Sequence, residues 1–337
     1  MHHADRPGES SGLAATTCLV TGGYGFIGSN LVHRLVALGA HVRIVDAGVP
    51  THGGNPRNVD GLDVARLDAR IGDPAVADLL DGVDVVFNVA GQVSHTASMV
   101  DPLLDLELNT IDHARFLDTV RRVAPGARIV HTSTRQVYGR AERLPADETV
   151  AAHPVDVNGV AKLAGEKLHM VYGQAFGVAA TALRLSNTYG PRQCLTSDEL
   201  GVLPVFVRRV LAGEPIELFG DGSQRRDCLY VDDVVDALLA ATRDTAVGRT
   251  YNVGHHTDHT LLEIATTMIE QARSTSEIRV TAWPDDHARV DIGSFVTDSG
   301  RIAAELGWHA TVDLAEGMAA TFAFYREHPW YTAEVPA

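Results

Sequence analysis

Apolar and polar positions in the first half of the chain follow the pattern of a parallel sheet covered by helices. Short apolar runs rich in branched side chains predict buried strands, and the segments between them have the period of amphipathic helices. The predicted strands are Thr17–Thr21, His41–Asp46, 83–89, 128–132 and 181–185. The predicted helices include 27–38, 103–123 and 159–176. This alternation predicts an α/β fold with a doubly wound parallel sheet.

The pattern changes in the second half of the chain. From about Asn187 the alternation weakens, and prolines and glycines separate shorter elements. This change predicts a smaller second lobe. At the other end, residues 1–14 are polar and lack periodicity, and we expect them to be a disordered tail.

The first predicted strand and helix are joined by the glycine-rich segment TGGYGFIG, residues 21–28. Glycines at such a turn let the backbone approach a pyrophosphate, whose charge meets the amide groups at the helix start. The residues expected to contact a dinucleotide here are Gly22, Gly25, Phe26, Ile27 and Gly28. Asp46, at the end of the next strand, can accept hydrogen bonds from ribose hydroxyls and would repel a 2′-phosphate, which favours NAD over NADP. Asp46 could instead only cap the turn.

Composition excludes several classes of protein. The 337 residues, 45% of them hydrophobic, suffice for a large core. No apolar run approaches the roughly 20 residues of a membrane span, and the polar start lacks the apolar core of a signal peptide. The net charge of -15 argues against nucleic acid as a partner. Three widely spaced cysteines (Cys18, Cys194 and Cys228) predict reduced thiols in a cytoplasmic protein, and we expect no metal site.

Further blocks follow the glycine-rich segment along most of the chain. They are NVAGQ (88–92), STRQVYG (133–139), KLAGE (162–166), LRLSNTYGPR (183–192), GDGSQRRD (220–227), YVDD (230–233), YNVG (251–254) and LGW (306–308). In this order they resemble the extended short-chain dehydrogenase/reductase family, in particular its NAD-dependent nucleotide-sugar epimerases and dehydratases.

The resemblance implies a two-part architecture. A Rossmann-type NAD-binding domain would comprise residues 15–186 and about 227–250, and a smaller substrate-binding lobe would comprise residues 187–226 and 251–332. The implied cofactor is NAD. The implied substrate is a sugar nucleotide such as a UDP-sugar, and the implied assembly is a homodimer built through the two long helices.

In that family a hydroxyl residue and a Tyr-x-x-x-Lys pair surround the nicotinamide and the sugar carbon. Thr134 matches the hydroxyl position, and Lys162 matches the lysine that lowers the pKa of the neighbouring phenol. Of the 28 basic residues only Lys162 and Lys167 are lysines, and only Lys162 stands where a mechanism needs one. Asn158 occupies the place of the tyrosine. An amide does not ionise near neutral pH, so Asn158 offers only hydrogen bonds.

Three explanations of Asn158 stay open. In the first, which we favour, another group is the base and Asn158 positions the substrate. His95 is the first candidate because imidazole titrates near neutral pH and its loop resembles one bordering the family's sugar pocket. His95 could instead be a hydrogen-bonded loop histidine, and Asp156 and His153 are further candidates. In the second explanation the protein binds NAD and a sugar nucleotide without turnover. In the third, Asn158 is an engineered substitution.

The residues after Thr134 bear on the type of reaction. The family's sugar 4,6-dehydratases have an Asp-Glu pair there, whereas this chain has Arg135 and Gln136, which cannot shuttle protons at neutral pH. Epimerisation needs only one base, a tightly held NAD and room for the sugar to rotate. We therefore predict an epimerase, with an oxidoreductase that releases a keto-sugar as the alternative enzyme.

The resemblance also assigns binding residues. On the substrate side these are Asn187, Arg226, Arg289 and Phe219, with both arginines at the pyrophosphate. Either arginine could instead be a surface charge or part of an ion pair.

Around NAD the resemblance assigns Asp68 to the adenine, Ala90 and Gly91 to the strand end where the backbone passes the cofactor, and Lys162 to the nicotinamide ribose. Tyr138 is a spare phenol near Thr134.

Overall fold

The computed structural model describes residues 12–49, 53–197, 201–283 and 291–332. Within these ranges the strands, in chain order, are β1 (Thr17–Thr21), β2 (His41–Asp46), β3 (Ala65–Asp68), β4 (Val85–Asn88), β5 (Arg128–Thr134), β6 (Ala179–Leu185), β7 (Asn187–Tyr189), β8 (Ile216–Phe219), β9 (Arg225–Arg226), β10 (Cys228–Tyr230), β11 (Thr250–Val253), β12 (His259–Thr260) and β13 (Ile278–Thr281). The helices are α1 (Phe26–Ala37), α2 (Val76–Leu80), α3 (His95–Val100), α4 (Pro102–Leu106), α5 (Asp112–Val123), α6 (Val157–Phe176), α7 (Val202–Ala212), α8 (Val231–Ala240), α9 (Leu261–Ala272), α10 (Gly300–Leu306) and α11 (Leu314–Glu327).

A seven-stranded parallel sheet has the order β11-β6-β5-β4-β1-β2-β3. Its strands are largely buried and apolar because helices cover both faces. The strand order reverses between β1 and β4, which is where ligands bind in open sheets of this kind. The predicted doubly wound Rossmann-type fold is confirmed.

The long helix predicted over residues 103–123 has three parts. Helix α4 is joined to α5 by a π turn, Glu107–Ile111. Such turns insert an extra residue into a helix and are frequent at functional sites. Helix α6 packs against this whole segment, so the π turn lies beside the lysine-bearing helix.

The carboxy-terminal part builds a second apolar core between α7, α9 and α11. Three small sheets accompany it, in which β7 pairs with β10, β8 with β13, and β9 with β12. Strand β11 pairs with β6 in the large sheet, and α8 packs on α1. The domain boundaries given above stay a prediction. The expected tail, residues 1–14, lies outside the described residues except for its last three. None of the helices in the described ranges is long and apolar enough to cross a membrane.

Candidate active site

The glycine-rich turn between β1 and α1 forms one wall of a cleft of about 440 Å³ at the carboxyl ends of the strands. Gly22 has a φ of +71°, and a Cβ there would lie 2.9 Å from the Ala90 Cα. A Cβ on Gly28 would lie 2.0 Å from the Gly22 carbonyl oxygen. Both positions therefore require glycine. The predicted cofactor residues that line this cleft are Gly22, Gly25, Phe26, Ile27, Gly28, Asp46, Ala90 and Gly91.

Asp46 and Asp68 are connected through Tyr24. The Tyr24 backbone N–H donates to Asp46 Oδ2 at 2.9 Å, and its hydroxyl donates to Asp68 Oδ1 at 2.7 Å. Burial raises the pKa of Asp46, while the N–H groups of Gly48 and Tyr24 oppose this shift. Asp68 is outside the cleft lining, which at this point is formed by its neighbours Ala69 and Arg70.

Asn158 is buried in the first turn of α6, which Asp156 caps by accepting the Gly159 N–H at 2.7 Å. The Asn158 Nδ2 atom has three acceptors within the protein: the backbone and side-chain oxygens of Gln92, at 3.0 and 3.1 Å, and Asp105 Oδ2, at 3.0 Å. Gln92 lines the cleft. The hydrogen bonds from Asn158 thus fix the position of Gln92 in the wall of the cleft.

Lys162 lies one turn further along α6 and is 6% exposed. Desolvation lowers its pKa to about 8, although the Asp105 carboxylate opposes this shift. A Cβ on Gly91 would be 2.3 Å from Lys162 Nζ and 2.6 Å from Asn109 Oδ1, so both atoms lie directly against Gly91, which lines the cleft. Asn109 Nδ2 donates to Asp105 Oδ1 at 3.2 Å.

Sequence reasoning missed Asp105 and Asn109. Both side chains are buried. Asp105 accepts hydrogen bonds from Asn158 and from Asn109, and Asn109 lies against Gly91 together with Lys162. The available signal was their four-residue spacing among leucines, which places two polar groups on one helix face.

His95 begins α3 and contacts two polar side chains. Its Nδ1 lies 2.8 Å from Asp156 Oδ2, and its Nε2 lies 2.7 Å from Gln136 Nε2. Because the Gln136 amide nitrogen can only donate, Nε2 carries the lone pair and Nδ1 carries the proton. Burial acts to raise the pKa of Asp156, but the hydrogen bond and charge of His95 lower it overall. The arrangement is an imidazole oriented by a carboxylate, as general bases are oriented in enzymes.

Thr134 lies next to this pair at the end of β5. Its Oγ1 accepts the Gln136 N–H at 3.2 Å. Gln136, which cannot shuttle protons, therefore connects Thr134 to His95. His153, the other histidine considered as a base, is exposed, and its carbonyl oxygen packs against Gly139.

Two of the predicted substrate residues, Asn187 and Arg226, have hydrogen-bond partners within the protein. Asn187 Oδ1 accepts a hydrogen bond from Arg135 Nη2 at 2.9 Å. Arg226 is buried and donates to the carbonyl oxygens of Arg225 and Gly293 and to Gln224 Oε1.

Phe219 packs on Trp283, with ring centroids 5.4 Å apart. Arg289 lies outside the described residues. Cys194 lines the cofactor cleft.

Tyr138 is not available as a substitute acid in this arrangement. It is 1% exposed, and its hydroxyl donates to Asn252 Oδ1 at 2.7 Å and accepts from Arg184 Nη1 at 2.8 Å. Burial raises its pKa. The phenol belongs to the core beside the buried Arg184–Glu166 ion pair.

Three histidines, His113, His131 and His169, form a buried cluster behind the active-site helix. The His131 and His169 rings are stacked, 4.0 Å apart and 10° from parallel. A metal ion lies in the plane of each imidazole that binds it, at about 2.1 Å, so two parallel stacked rings cannot share one. Instead, Asn88 Nδ2 donates hydrogen bonds to His113 Nδ1 and His169 Nε2, at 3.1 and 3.0 Å. The stacking suits neutral rings better than a metal, and His131 is packed there without a side-chain hydrogen bond among the described residues.

Comparison with known proteins gives the family. The model of the NAD-dependent epimerase/dehydratase family matches residues 18–254. The chain is 34% identical over 316 residues to the UDP-glucose 4-epimerase of Mycolicibacterium smegmatis, covering 91% of this chain and 98% of that protein. It is 32% identical over 314 residues to UDP-glucuronic acid decarboxylase 4 of Arabidopsis thaliana, covering 89% of this chain and 66% of that protein.

A solved structure gives the same result. The crystal structure of UDP-glucose 4-epimerase with UDP-glucose from Thermotoga maritima superposes with a TM-score of 0.86 at 30% identity, covering 93% of this chain and all of that one. These matches extend over both the cofactor cleft and the carboxy-terminal part. The chain belongs to the NAD-dependent epimerase/dehydratase family.

Proposed function

We propose that the chain is a nucleotide-sugar epimerase in which His95, oriented by Asp156, replaces the usual phenol as the base. The observation that carries this proposal is the pair of contacts made by the imidazole. One nitrogen faces a buried carboxylate and the other faces a side chain adjacent to Thr134. Such a ring has a fixed tautomer, and its Nε2 lone pair, which accepts from the Gln136 amide, could accept a proton from a substrate that displaces this amide.

The cleft residues fit NAD. The space in front of Gly22 and Gly28, which a Cβ would fill, lets the backbone approach a pyrophosphate at the start of α1. Asp46 would hold the ribose, Asp68 the adenine end, and Ala90, Gly91 and Lys162 the nicotinamide end. NAD, when bound, supplies reversible hydride transfer with the sugar carbinol.

Proton handling is assigned to the chain's own residues. The sugar hydroxyl would take the place of the Gln136 amide at His95 Nε2 and give its proton to that nitrogen. The Asp156 carboxylate stabilises the imidazolium, and Thr134 donates a hydrogen bond to the sugar oxygen. Returning the proton from Nε2 to the same oxygen restores the starting state.

The names of the relatives support a UDP-linked substrate, since they refer to UDP-glucose and UDP-glucuronic acid. Asn187, Arg226, Arg289 and Phe219 are proposed to hold the nucleotide and its diphosphate. Arg135 and Gln136 lack the proton-shuttling carboxylates of a dehydratase, which favours epimerisation. An oxidoreductase would instead produce NADH in proportion to product.

A non-catalytic binding protein is the second candidate. The observation that favours it is the Asn158 amide, whose donor atom is engaged with Gln92 and Asp105 where the family's phenol would face the substrate. In that case NAD and a sugar nucleotide would bind without chemical change.

The deciding experiment follows the carbinol proton of UDP-sugars by NMR in the presence of NAD-loaded protein. Inversion at one carbon supports the epimerase. His95→Gln should reduce the rate about 10²- to 10⁴-fold while NAD content stays the same. The control is His309→Gln, because His309 is exposed. A fully active His95→Gln protein removes His95 as the base, and unchanged spectra across the panel favour the binding protein.

We also propose a homodimer. Helices α3, α4 and α6 pack against one another and carry exposed apolar side chains. Val100 on α3 is 86% exposed and Leu103 on α4 is 77% exposed, and Val160 and Val171 on α6 are also exposed. Size-exclusion chromatography with light-scattering detection should give twice the mass of the chain. Leu103→Glu should yield monomer, whereas Val280→Glu, an exposed position on β13, should not. A monomeric wild-type protein contradicts the proposal.

A further inference from the structure

The guanidinium of Arg135 is buried and has one nitrogen without a partner among the described residues. Its Nη2 donates to Asn187 Oδ1 at 2.9 Å, while its Nη1 is buried without a hydrogen-bond partner among the described residues. Its Cζ lies 5.5 Å from the centre of the Phe295 ring, within the range of a cation–π contact. One edge of the guanidinium is thus held, and the other is left without a protein acceptor.

The charge of Arg135 is also poorly compensated. Among the described residues no carboxylate oxygen lies within 4.0 Å of it. The buried Asp227 acts on it only from further away, and burial raises the pKa of that carboxyl to about 6. Burial together with repulsion from Arg226 lowers the pKa of Arg135 to about 9. Two neighbouring buried cations without a direct counter-ion are costly unless an anion joins them.

The position of Arg135 indicates where that anion would be. Its chain neighbours, Thr134 and Gln136, are the residues that lead to His95. Its side chain therefore starts from the reacting end of the sugar and ends at Asn187. The diphosphate has other proposed partners in Arg226 and Arg289. With the diphosphate provided for in this way, we assign the unpartnered nitrogen of Arg135 to the sugar part of the ligand.

We propose that Arg135 binds a carboxylate carried by the sugar, so that the preferred substrates are nucleoside diphosphate-linked uronic acids. This inference rests on the proposed function. A guanidinium edge offers N–H groups in the plane and spacing that a carboxylate accepts, which a hydroxymethyl group cannot match. No covalent step is involved, and Arg135 acts as a specificity-determining residue.

The test compares UDP-glucuronate with UDP-glucose, which differ only at C6, by calorimetry on NAD-loaded protein. Wild type should bind UDP-glucuronate about 10- to 100-fold more tightly than UDP-glucose. Arg135→Gln should remove this preference by weakening UDP-glucuronate alone, and Arg135→Lys should keep part of it. Arg226→Gln should weaken both ligands by similar factors, and Arg143→Gln, at an exposed ion pair, should change neither.

Several outcomes would overturn the inference. One is a wild-type protein that binds UDP-glucuronate no more tightly than UDP-glucose, including one that binds neither. Another is equal weakening of both ligands by Arg135→Gln, which would assign Arg135 to the diphosphate. A loss of fold is recognised separately, because Arg135→Lys should unfold at the wild-type temperature.

The proposed function is judged by a different measurement. An uronate preference that depends on Arg135 in a protein that leaves carbinol protons unchanged refutes the epimerase but keeps the inference. Inversion at a carbinol carbon of UDP-glucose without any preference for UDP-glucuronate supports the epimerase and refutes the inference.

Discussion

Asn158 and Asp105 are joined by a hydrogen bond between α6 and α4, with Nδ2 and Oδ2 3.0 Å apart. The bond places an amide donor against a buried carboxylate whose charge also acts on Lys162. It gives Asn158 a structural role that an acid could not fill, since its nitrogen faces only acceptors.

Asn158→Asp should therefore destabilise the protein although the shape is preserved. The new carboxylate would face the two Gln92 oxygens and the Asp105 carboxylate, which should lower the free energy of unfolding by about 3 kcal/mol at pH 8. Urea unfolding at pH 8 and pH 6 measures this loss, which should shrink at pH 6 as the pair takes up a proton. Gln174→Glu, an exposed amide on the same helix, should change stability by less than about 0.5 kcal/mol. Equal effects of the two variants would contradict the role given to Asn158.

NAD affinity should fall as pH rises through the pKa of Lys162. With that pKa near 8, the ammonium is present at pH 7 and largely lost at pH 9.5, so the hydrogen bonds that we propose it donates to the ribose would lose their charge assistance. Calorimetry on protein freed of NAD should show about tenfold weaker binding at pH 9.5 than at pH 7. Lys162→Met should bind weakly with no such change. A wild-type protein with constant affinity would separate Lys162 from the cofactor.

The histidine cluster should make the protein sensitive to acid. Desolvation and neighbouring charges lower the pKa of His113 and His131, and desolvation lowers that of His169 to about 4. Since the unfolded chain binds these protons first, stability is fully present above pH 6.5 and falls below it. Each histidine lowers the free energy of unfolding by about 1.4 kcal/mol for each pH unit that the pH falls between 6.5 and its pKa in the folded protein.

Denaturant unfolding between pH 8 and pH 4.5 measures this slope. His131→Leu removes one of the groups and should make the slope shallower, whatever it does to stability at pH 8. His309→Asn, at an exposed site, should leave the slope unchanged. A stability that does not vary between pH 6.5 and pH 5 would mean that the rings are not neutral in the folded protein.

Gly28→Ala should weaken NAD binding at least tenfold and lower the free energy of unfolding by about 2 kcal/mol or more. The added Cβ would collide with the Gly22 carbonyl oxygen, and the turn must shift to relieve this contact. Gly126→Ala is the matched control because its Cβ would meet nothing within 4 Å. NAD titration and thermal unfolding of both variants give the result. A Gly28→Ala protein that retains wild-type NAD affinity would rule out the turn as the pyrophosphate site.

The fold was predictable because its signals are local. Strand and helix periods, and the glycines between β1 and α1, each depend on a few consecutive residues. The active-site contacts were less predictable. Asp156 and Gln136 reach His95 from 61 and 41 residues away, and only the sheet topology brings their segments together. The side-chain type of Gln136 showed only that it cannot shuttle protons, whereas its position lets it orient the His95 imidazole.

The π turn at Glu107–Ile111 has a consequence for how this helical segment can vary. Before it, Leu104 faces the cofactor cleft, and after it Phe116, Leu117 and Val120 pack into the sheet's core. Deleting a single residue from the turn would rotate one half by about 100° relative to the other. The two surfaces would then no longer be presented together. Insertions and deletions should therefore be tolerated poorly at this point.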